Sequence, residues 1–163
     1  MIPAFEDGAW YLPQGLHAAT LDEIEERFVV AAPFSDRRRV VFDAFRLWHG
    51  IITSVVPDAR FWVDGGFVTH KPWAAPSDVD VTVMLRPDDL NNLTEEQQQR
   101  LNPMFTKNGP PRQQPMSGLV DAFICLRGNV DNTLYWREHW STVLDQNRDK
   151  VTGTRKGFLE VKP

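Results

Sequence analysis

Two aspartates at the start of a predicted strand are the residues of this sequence best suited to chemistry. Asp78 and Asp80 open the segment 78–85, which is rich in β-branched residues and alternates with a period of two. Side chains at i and i+2 project from the same face of a strand, so the two carboxylates lie close together. Like charges this close repel unless a proton or a cation binds between them. Because Mg²⁺ is commonly held by one or two carboxylates plus substrate phosphates, the pair predicts a site for Mg²⁺ or Mn²⁺.

A third aspartate, Asp121, lies within the apolar segment 119–126, which is also predicted to be a strand. A carboxylate in such a segment is costly to bury without a partner. If this strand lies beside that of Asp78, the three carboxylates converge and could hold two ions. Two ions in one site stabilise both the attacking and the leaving oxygen in phosphoryl transfer.

A pair of glycines, Gly65 and Gly66, follows a short apolar run and is separated from Asp78 by eleven residues. Glycines allow positive φ and let backbone amides approach a ligand closely, and such amides bind phosphate oxygens. Lys71 lies in the loop between the glycines and the acids, where it would add a positive charge beside the same phosphates. Further cations that could do so lie near the end of the chain: Lys150, Arg155 and Lys156.

These residues resemble the signature of the nucleotidyltransferase superfamily related to DNA polymerase beta. The resemblance rests on Gly65-Gly66, the eleven-residue gap, Asp78-Val79-Asp80-Val81 and the later Asp121, and it covers about residues 60–125. Nearly the whole chain is also similar to a family of small, uncharacterised bacterial and phage proteins described only as nucleotidyltransferase-like. The segments that carry this second similarity are 12–17, 20–28, 64–71, 76–81 and 156–157.

The resemblance implies metal-dependent transfer of a nucleoside monophosphate from a nucleoside triphosphate, such as ATP, to a hydroxyl group, with release of pyrophosphate. Asp78 and Asp80 would then ligate Mg²⁺, and Asp121 would bind a second ion and help to deprotonate the hydroxyl. Gly65 and Gly66 would hold the triphosphate. Many members of the superfamily have serine at the second glycine position, with its hydroxyl on a phosphate. Here only the backbone amide of Gly66 is available.

Other interpretations remain open from the sequence. A non-catalytic member could keep the fold and bind a partner as an antitoxin or regulatory subunit, and Gly66 favours that interpretation. A glycosyltransferase could use Asp-x-Asp and a metal, although there the motif usually ends an apolar strand. A nuclease could combine Asp121 with Glu160 and Lys162. Trp73, close to Lys71 in the motif loop, could either stack on a base or anchor the loop.

The composition restricts the classes of protein. The 163 residues are 42% hydrophobic and 25% charged, which is typical of one globular domain. A net charge of −4 argues against a broad basic surface that coats nucleic acid, although nucleic acid remains possible as the acceptor. No apolar run approaches the roughly 20 residues of a membrane span, and the acidic, proline-containing start is unlike a signal peptide. With a single cysteine, Cys125, we expect a cytoplasmic protein.

The elements that position these residues are predicted to form an α/β (α+β) fold, a small mixed sheet flanked by helices. We expect one domain over 1–163, with an irregular N-terminal arm over 1–19 and a catalytic core over about 35–127. Helices are predicted over 20–28, 35–56, 94–101 and 131–147, and strands over 61–63, 78–85, 119–126 and 157–161, the last at an edge. The arginine run 37–39 is expected on a solvated face.

Local signals mark the ends of several elements. Capping boxes over 20–23 and 94–97 begin two of the helices, and Ser35 is expected to cap the long helix, whose apolar face includes Val40. Residues 108–118 are predicted to form a loop, and a turn is expected at Gly153. Cys125 is expected to be buried as a small hydrophobic side chain.

The predicted core leaves too few residues for a separate domain that would hold the acceptor. We therefore expect this protein to associate with itself or with a protein partner that presents the acceptor hydroxyl.

Overall fold

The computed structural model describes residues 1–162 and shows a mixed α+β fold, as the sequence predicts. The strands along the chain are β1 (Gly15–Ala19), β2 (Arg60–Asp64), β3 (Val79–Leu85), β4 (Val120–Leu126), β5 (Thr142–Leu144), β6 (Lys150–Arg155) and β7 (Gly157–Val161). The helices are α1 (Leu21–Glu25), α2 (Ser35–Val55), α3 (Pro87–Asn91), α4 (Glu95–Leu101), α5 (Pro115–Gly118) and α6 (Val130–Trp140). A π-helical turn (Glu26–Val30) continues α1, and a 3-10 turn (Asn102–Met104) continues α4.

Five strands form the main sheet in the order β1-β7-β2-β3-β4. The two outer pairs, β1 with β7 and β3 with β4, are parallel, whereas β2 is antiparallel to both of its neighbours. Strands β5 and β6 form a separate antiparallel hairpin. Most side chains of β2 and β3 are buried, which is typical of strands covered on both faces of a sheet.

Helix α2 covers one face of the sheet and confirms the long helix predicted from the sequence. Its buried apolar residues recur at helical spacing, so one stripe of the helix packs into the main core. Val40 was expected on this stripe but is 48% exposed. A smaller cluster, which includes Trp136 and Trp140 of α6, covers the opposite face, and the predicted burial of Cys125 is confirmed there.

The two predicted capping boxes are present at the starts of α1 and α4. Thr20 and Glu23 exchange hydrogen bonds between side chain and backbone, and so do Thr94 and Gln97. These bonds satisfy amides that a helix leaves free at its first turn. Ser35, in contrast, is the first residue of α2 and does not cap it; Phe34 precedes it with a φ of 63°.

The N-terminal arm contains a strand, which corrects the prediction that 1–19 is irregular. β1 pairs in parallel with β7, from Gly15 opposite Gly157 to Ala19 opposite Val161. Consequently β7 lies between β1 and β2 and is not the edge strand that the sequence predicted. The short Gly-Leu-His-Ala-Ala segment has little strand pattern of its own, so its conformation depends on this long-range pairing.

The helix predicted over 131–147 is shorter in the structure. α6 ends at Trp140, and the hairpin of β5 and β6 follows. The Asp145 carboxylate accepts hydrogen bonds from the backbone N–H groups of Asn147 and Asp149, and Arg148 has a φ of 68°. This turn is where the chain reverses, whereas Gly153, the predicted turn residue, lies within β6 with a φ of 75°. No helix within residues 1–162 combines the length and apolar character needed to cross a lipid bilayer.

Candidate functional site

Three aspartates lie side by side on neighbouring strands of the main sheet. Asp64 is opposite Asp80 in the β2–β3 register, and Asp80 is opposite Asp121 in the β3–β4 register. Directly opposed residues share a face of the sheet. Asp78 lies two residues before Asp80, so its side chain projects to the same side. The structure thus brings together the three predicted acids and adds a fourth, Asp64. The only sign of Asp64 in the sequence is its position at the end of an apolar strand, directly before two glycines.

Asp64 is paired with a lysine from the far end of the chain. Both of its carboxylate oxygens accept hydrogen bonds from Lys156 Nζ, and the two residues are only 2% and 6% exposed. Burial raises the pKa of the Asp64 carboxyl, and the charge of Lys156 opposes that rise. Losing Lys156 would leave the Asp64 carboxylate buried beside Asp80 without its counter-charge. Lys156 was predicted only as one of several phosphate-binding cations, whereas here its partner is a carboxylate.

The Asp80 carboxyl is also strongly perturbed by its surroundings. Burial raises the pKa of this carboxyl to about 7, and the negative charges of Asp78, Asp64 and Asp121 act in the same direction, with Lys156 opposing them. A carboxyl in such surroundings gains from either a proton or a bound cation. The repulsion predicted from the Asp-x-Asp spacing is therefore present, and the two flanking strands contribute to it.

The two glycines have different structural roles. Gly65 has a φ of 79°, and a Cβ at this position would overlap the Asp80 carboxylate, so both conformation and space require glycine. A Cβ on Gly66 would lie 2.9 Å from Lys71 Nζ. The lysine amine therefore fills the space that a serine side chain would need. Because this nitrogen is at the end of a flexible side chain, a larger residue at position 66 would require Lys71 to shift and not the backbone.

Lys71 lies beside both the glycines and the acids, as the sequence analysis expected. Burial lowers the pKa of the Lys71 ammonium, Arg148 and Arg38 lower it further, and Asp80 and Asp78 oppose the shift. A phosphate bound at this point would favour the charged form of the lysine. The arrangement is suited to neutralising an anionic ligand.

One loop contacts two of the acids. Arg112 Nη2 donates a hydrogen bond to Asp121 Oδ2 at 2.5 Å, and Gln114 Nε2 donates to Asp78 Oδ2 at 3.1 Å. The hydroxyl of Thr106 donates to Asp121 Oδ1 at 2.6 Å. The sequence identified residues 108–118 only as a loop. No local pattern marks Arg112 or Gln114, because the loop reaches the acids only through the fold.

The arginine run at the start of α2 corrects another expectation, since Arg38 is fully buried and not solvated. Burial lowers its pKa to about 10, so it remains charged at neutral pH. Its guanidinium donates hydrogen bonds to four backbone carbonyls, those of Phe28, Pro33, Phe67 and Thr69. Arg37 donates to the carbonyls of Pro76 and Ser77, immediately before Asp78. The two arginines thus hold both ends of the loop that connects the glycines to the acids.

A cavity of about 910 Å³ opens above the four acids, a volume within the usual range for small-molecule sites. Cationic side chains line it together with the acids: Lys71, Arg112, Arg148, Lys150 and Lys156. Aromatic side chains also line it: Trp10, Trp73, Tyr135 and Trp140. The cavity therefore combines carboxylates that can hold a cation with cations that can bind phosphates.

The four acidic side chains, in their present positions, provide only part of the ligands that a metal ion needs. Among residues 1–162, no three His, Cys, Asp or Glu side chains converge closely enough to enclose an ion. Asp78 and Asp80 offer two carboxylates on one face, and two suffice for Mg²⁺ when phosphates and water complete its shell. Asp121 would become a ligand only after Arg112 had moved away. The residues thus fit an ion held by two carboxylates and by oxygens of the ligand.

Comparison with known proteins finds one family. The model of a family of unknown function (DUF6932) matches residues 3–162. No curated protein and no solved structure matches the chain. Because the match spans nearly its whole length, the chain belongs to the DUF6932 family.

Proposed function

We propose that this member of the DUF6932 family is a metal-dependent nucleotidyltransferase. It transfers a nucleoside monophosphate from a nucleoside triphosphate to a hydroxyl of an acceptor and releases pyrophosphate. The observation that carries the proposal is the row Asp64–Asp80–Asp121 across three strands, joined by Asp78 and facing a cavity in which Lys71 lies over the glycine pair. The resemblance of these residues to the nucleotidyltransferase signature supports the same activity.

The metal would be held by Asp78 and Asp80. A bound Mg²⁺ or Mn²⁺ supplies positive charge to the triphosphate oxygens and lowers the repulsion between the two carboxylates. The backbone amides of Gly65 and Gly66 and the ammonium of Lys71 bind the phosphates. Further along the cavity wall, Arg148 and Lys150 offset the rest of the phosphate charge.

The transfer step needs a group that accepts the proton of the attacking hydroxyl, and Asp121 has that role in our proposal. The hydroxyl oxygen forms a bond to the α-phosphorus while the bond from that phosphorus to the β-phosphate oxygen breaks. Pyrophosphate leaves with the bonding electron pair, and the proton passes to the Asp121 carboxylate. Arg112 must first release that carboxylate, because its ion pair with Asp121 occupies the oxygen that would accept the proton.

The acceptor is a protein side chain, an RNA end or a small molecule. We propose that a second copy of the chain or another protein presents it, and that the reaction takes place in the cytoplasm.

A second candidate is a non-catalytic protein that keeps this site and acts as an antitoxin or regulatory subunit. The contacts of Arg112 with Asp121 and of Gln114 with Asp78 favour it, since they satisfy two of the acids without any metal. In this case the side chains of the loop permanently replace the ion.

Thermal unfolding with Mg²⁺ or Mn²⁺ and each of the four nucleoside triphosphates tests the proposal. Ligand at 100 times its Kd should stabilise the protein by about 2.7 kcal/mol, a rise of roughly 5–10 °C in Tm for a chain of this length. We expect this rise in the wild type and in the control Asp43→Asn, which changes an exposed acid of α2. The double variant Asp78→Ala/Asp80→Ala should lose it.

Activity is measured in parallel with α-³²P-labelled nucleotide, by following release of pyrophosphate and the molecule that becomes labelled. The labelled molecule identifies the acceptor. Equal metal-dependent shifts in the wild type and the double variant, or none in either, contradict the metal site. The absence of both a shift and transfer to protein, RNA or small-molecule hydroxyls supports the non-catalytic candidate, in which loop side chains replace the ion. A shift without transfer contradicts the transferase activity.

A further inference from the structure

Two tryptophans form an exposed aromatic surface at the edge of the cavity. The ring centroids of Trp10 and Trp73 are 4.7 Å apart with an interplanar angle of 78°, and both residues line the cavity. Trp73 is 41% exposed although it is among the largest apolar side chains in the chain. Open indole surface inside a polar cavity is characteristic of a binding site for a flat, apolar group.

The backbone fixes this pair beside the residues that would bind phosphate. The N–H of His70 donates a hydrogen bond to the Trp10 carbonyl at 2.7 Å, and Tyr11 forms an antiparallel bridge with Thr69. The N-terminal arm is therefore attached to the loop immediately before Lys71. Trp73 is two residues beyond Lys71 in the same loop. The aromatic surface and the lysine thus belong to one braced segment.

The open indole surface of the pair belongs mainly to Trp73, because Trp10 is half-buried and also meets Tyr11 edge to face with centroids 5.0 Å apart. In an edge-to-face contact the edge of one ring covers a single face of the other ring. A further aromatic residue that lines the cavity, Tyr135, belongs to α6. Tyr135 is stacked on His139 with centroids 5.7 Å apart and an interplanar angle of 14°, so one of its faces is already covered. Tyr135 is 57% exposed, so exposure does not separate the two surfaces. The tryptophan pair is favoured because the backbone attaches it to the segment that carries Lys71.

We infer that Trp10 and Trp73 form the base-binding subsite of this cavity, which takes the nucleobase of a nucleotide whose phosphates lie against Lys71. This inference rests on the proposed function and names the part of the substrate that the acids and cations do not recognise. Stacking uses the π-face that every base has and does not depend on the hydrogen-bonding groups at its edge. It therefore discriminates little between the bases. We expect all four nucleotides to bind, with purines bound more tightly because of their larger ring area.

Titration calorimetry with ATP and with inorganic tripolyphosphate, both with Mg²⁺, separates the base from the phosphates. Tripolyphosphate shares the phosphate chain of ATP and lacks the base and sugar. We expect the wild type to bind ATP at least about tenfold more tightly than tripolyphosphate, the usual scale of one base–aromatic contact. Trp73→Ala should bring the ratio close to one while tripolyphosphate affinity stays unchanged, and Trp73→Phe should retain part of the preference.

The matched control is Tyr135→Ala, which removes an exposed aromatic residue of α6 that lines the same cavity. It should leave the preference for ATP intact. If Trp73→Ala keeps the wild-type ratio, or if Tyr135→Ala abolishes it, the base does not bind at the tryptophans and the inference is overturned while the proposed function stands. If the wild type binds neither ATP nor tripolyphosphate, the proposed function itself fails and the inference fails with it.

Discussion

The carboxyl of Asp80 lies at the centre of the site, between the acids of two neighbouring strands. Its position accounts for the residues around it: Gly65 has no side chain because the carboxyl lies against its Cα, and Lys156 balances the charge of Asp64 on one side. Burial, reinforced by the negative charges of the neighbouring acids, raises the pKa of Asp80 to about 7. Grouped carboxylates destabilise a fold unless a proton or a cation binds them. Stability alone therefore does not explain this arrangement.

Replacing Asp80 with asparagine should therefore stabilise the metal-free protein at high pH. A carboxyl with a raised folded-state pKa is protonated when folded and ionised when unfolded between about pH 4 and pH 7, so the wild type loses stability as the pH rises through this window. The advantage of Asp80→Asn should grow across the same window and level off above it. A pKa difference of about three units sets an upper limit of about 4 kcal/mol on the stability gained by Asp80→Asn, and solvent screening reduces this value.

Urea unfolding in metal-free buffer between pH 4 and pH 8 measures this difference. Asp43→Asn, an exposed change, should show no comparable pH dependence. An advantage of Asp80→Asn that is constant with pH, or that shrinks as pH rises, would show that the acids do not interact as described.

Among the elements, the loop between α4 and β4 has the most direct influence on the acids. It folds back on itself through a bridge between Lys107 and Gln113, and it presents Arg112 and Gln114 to the acids. The chain returns to β4 through α5, where Met116 and Ser117 have φ values of 53° and 57°. Such left-handed positions cost energy in residues other than glycine and are often found near functional sites. The loop is thus placed to compete with a cation for the carboxylates.

Removing the guanidinium of this loop should strengthen divalent-metal binding. In Arg112→Ala the Asp121 carboxylate loses its competing ion pair, which is half-exposed on the arginine side and so of modest strength. We expect Mn²⁺ affinity to rise by about two- to tenfold, measured from the electron paramagnetic resonance signal of free Mn²⁺. Arg39→Ala, which breaks an ion pair with Glu25 on α1, is the control and should leave the affinity unchanged. Weaker binding in Arg112→Ala would mean that Arg112 supports the metal site.

Across the whole molecule, Arg38 connects segments that are far apart in the chain. Its guanidinium donates hydrogen bonds to the π-helical turn after α1, to Pro33 two residues before α2, and to the loop that follows the glycines. These bonds satisfy backbone carbonyls that the loop leaves without partners in a sheet or a helix. The geometry of the loop between the glycines and Asp78 is therefore coupled to the stability of the fold.

Arg38→Met should lower the free energy of unfolding by about 3–5 kcal/mol, because several buried carbonyls lose their donor at once. Arg39→Met, one residue away and half-exposed in an ion pair, should change it by at most about 1 kcal/mol. Urea denaturation of the two variants at pH 7 provides the comparison. Equal effects of the two substitutions would show that the buried network contributes little.

The sequence by itself determined the features that depend on residues a few positions apart. The spacing of Asp78 and Asp80 places both carboxylates on one face, the capping boxes begin α1 and α4, and the apolar period predicts the long helix α2. The α+β class follows from the same local patterns. Periodicity and capping involve contacts within one or two turns or along one strand, so the order of residues is sufficient to specify them.

Only the tertiary structure decided which distant residues meet at the site. Asp64 and Lys156 are 92 positions apart, and neither has a local pattern that predicts their ion pair. The burial of Arg38, the contact of Arg112 with Asp121 and the pairing of β1 with β7 are of the same kind. In each case the interaction depends on burial and on a partner supplied by another segment of the chain. It therefore exists only once the chain has folded, and it can then override local propensity.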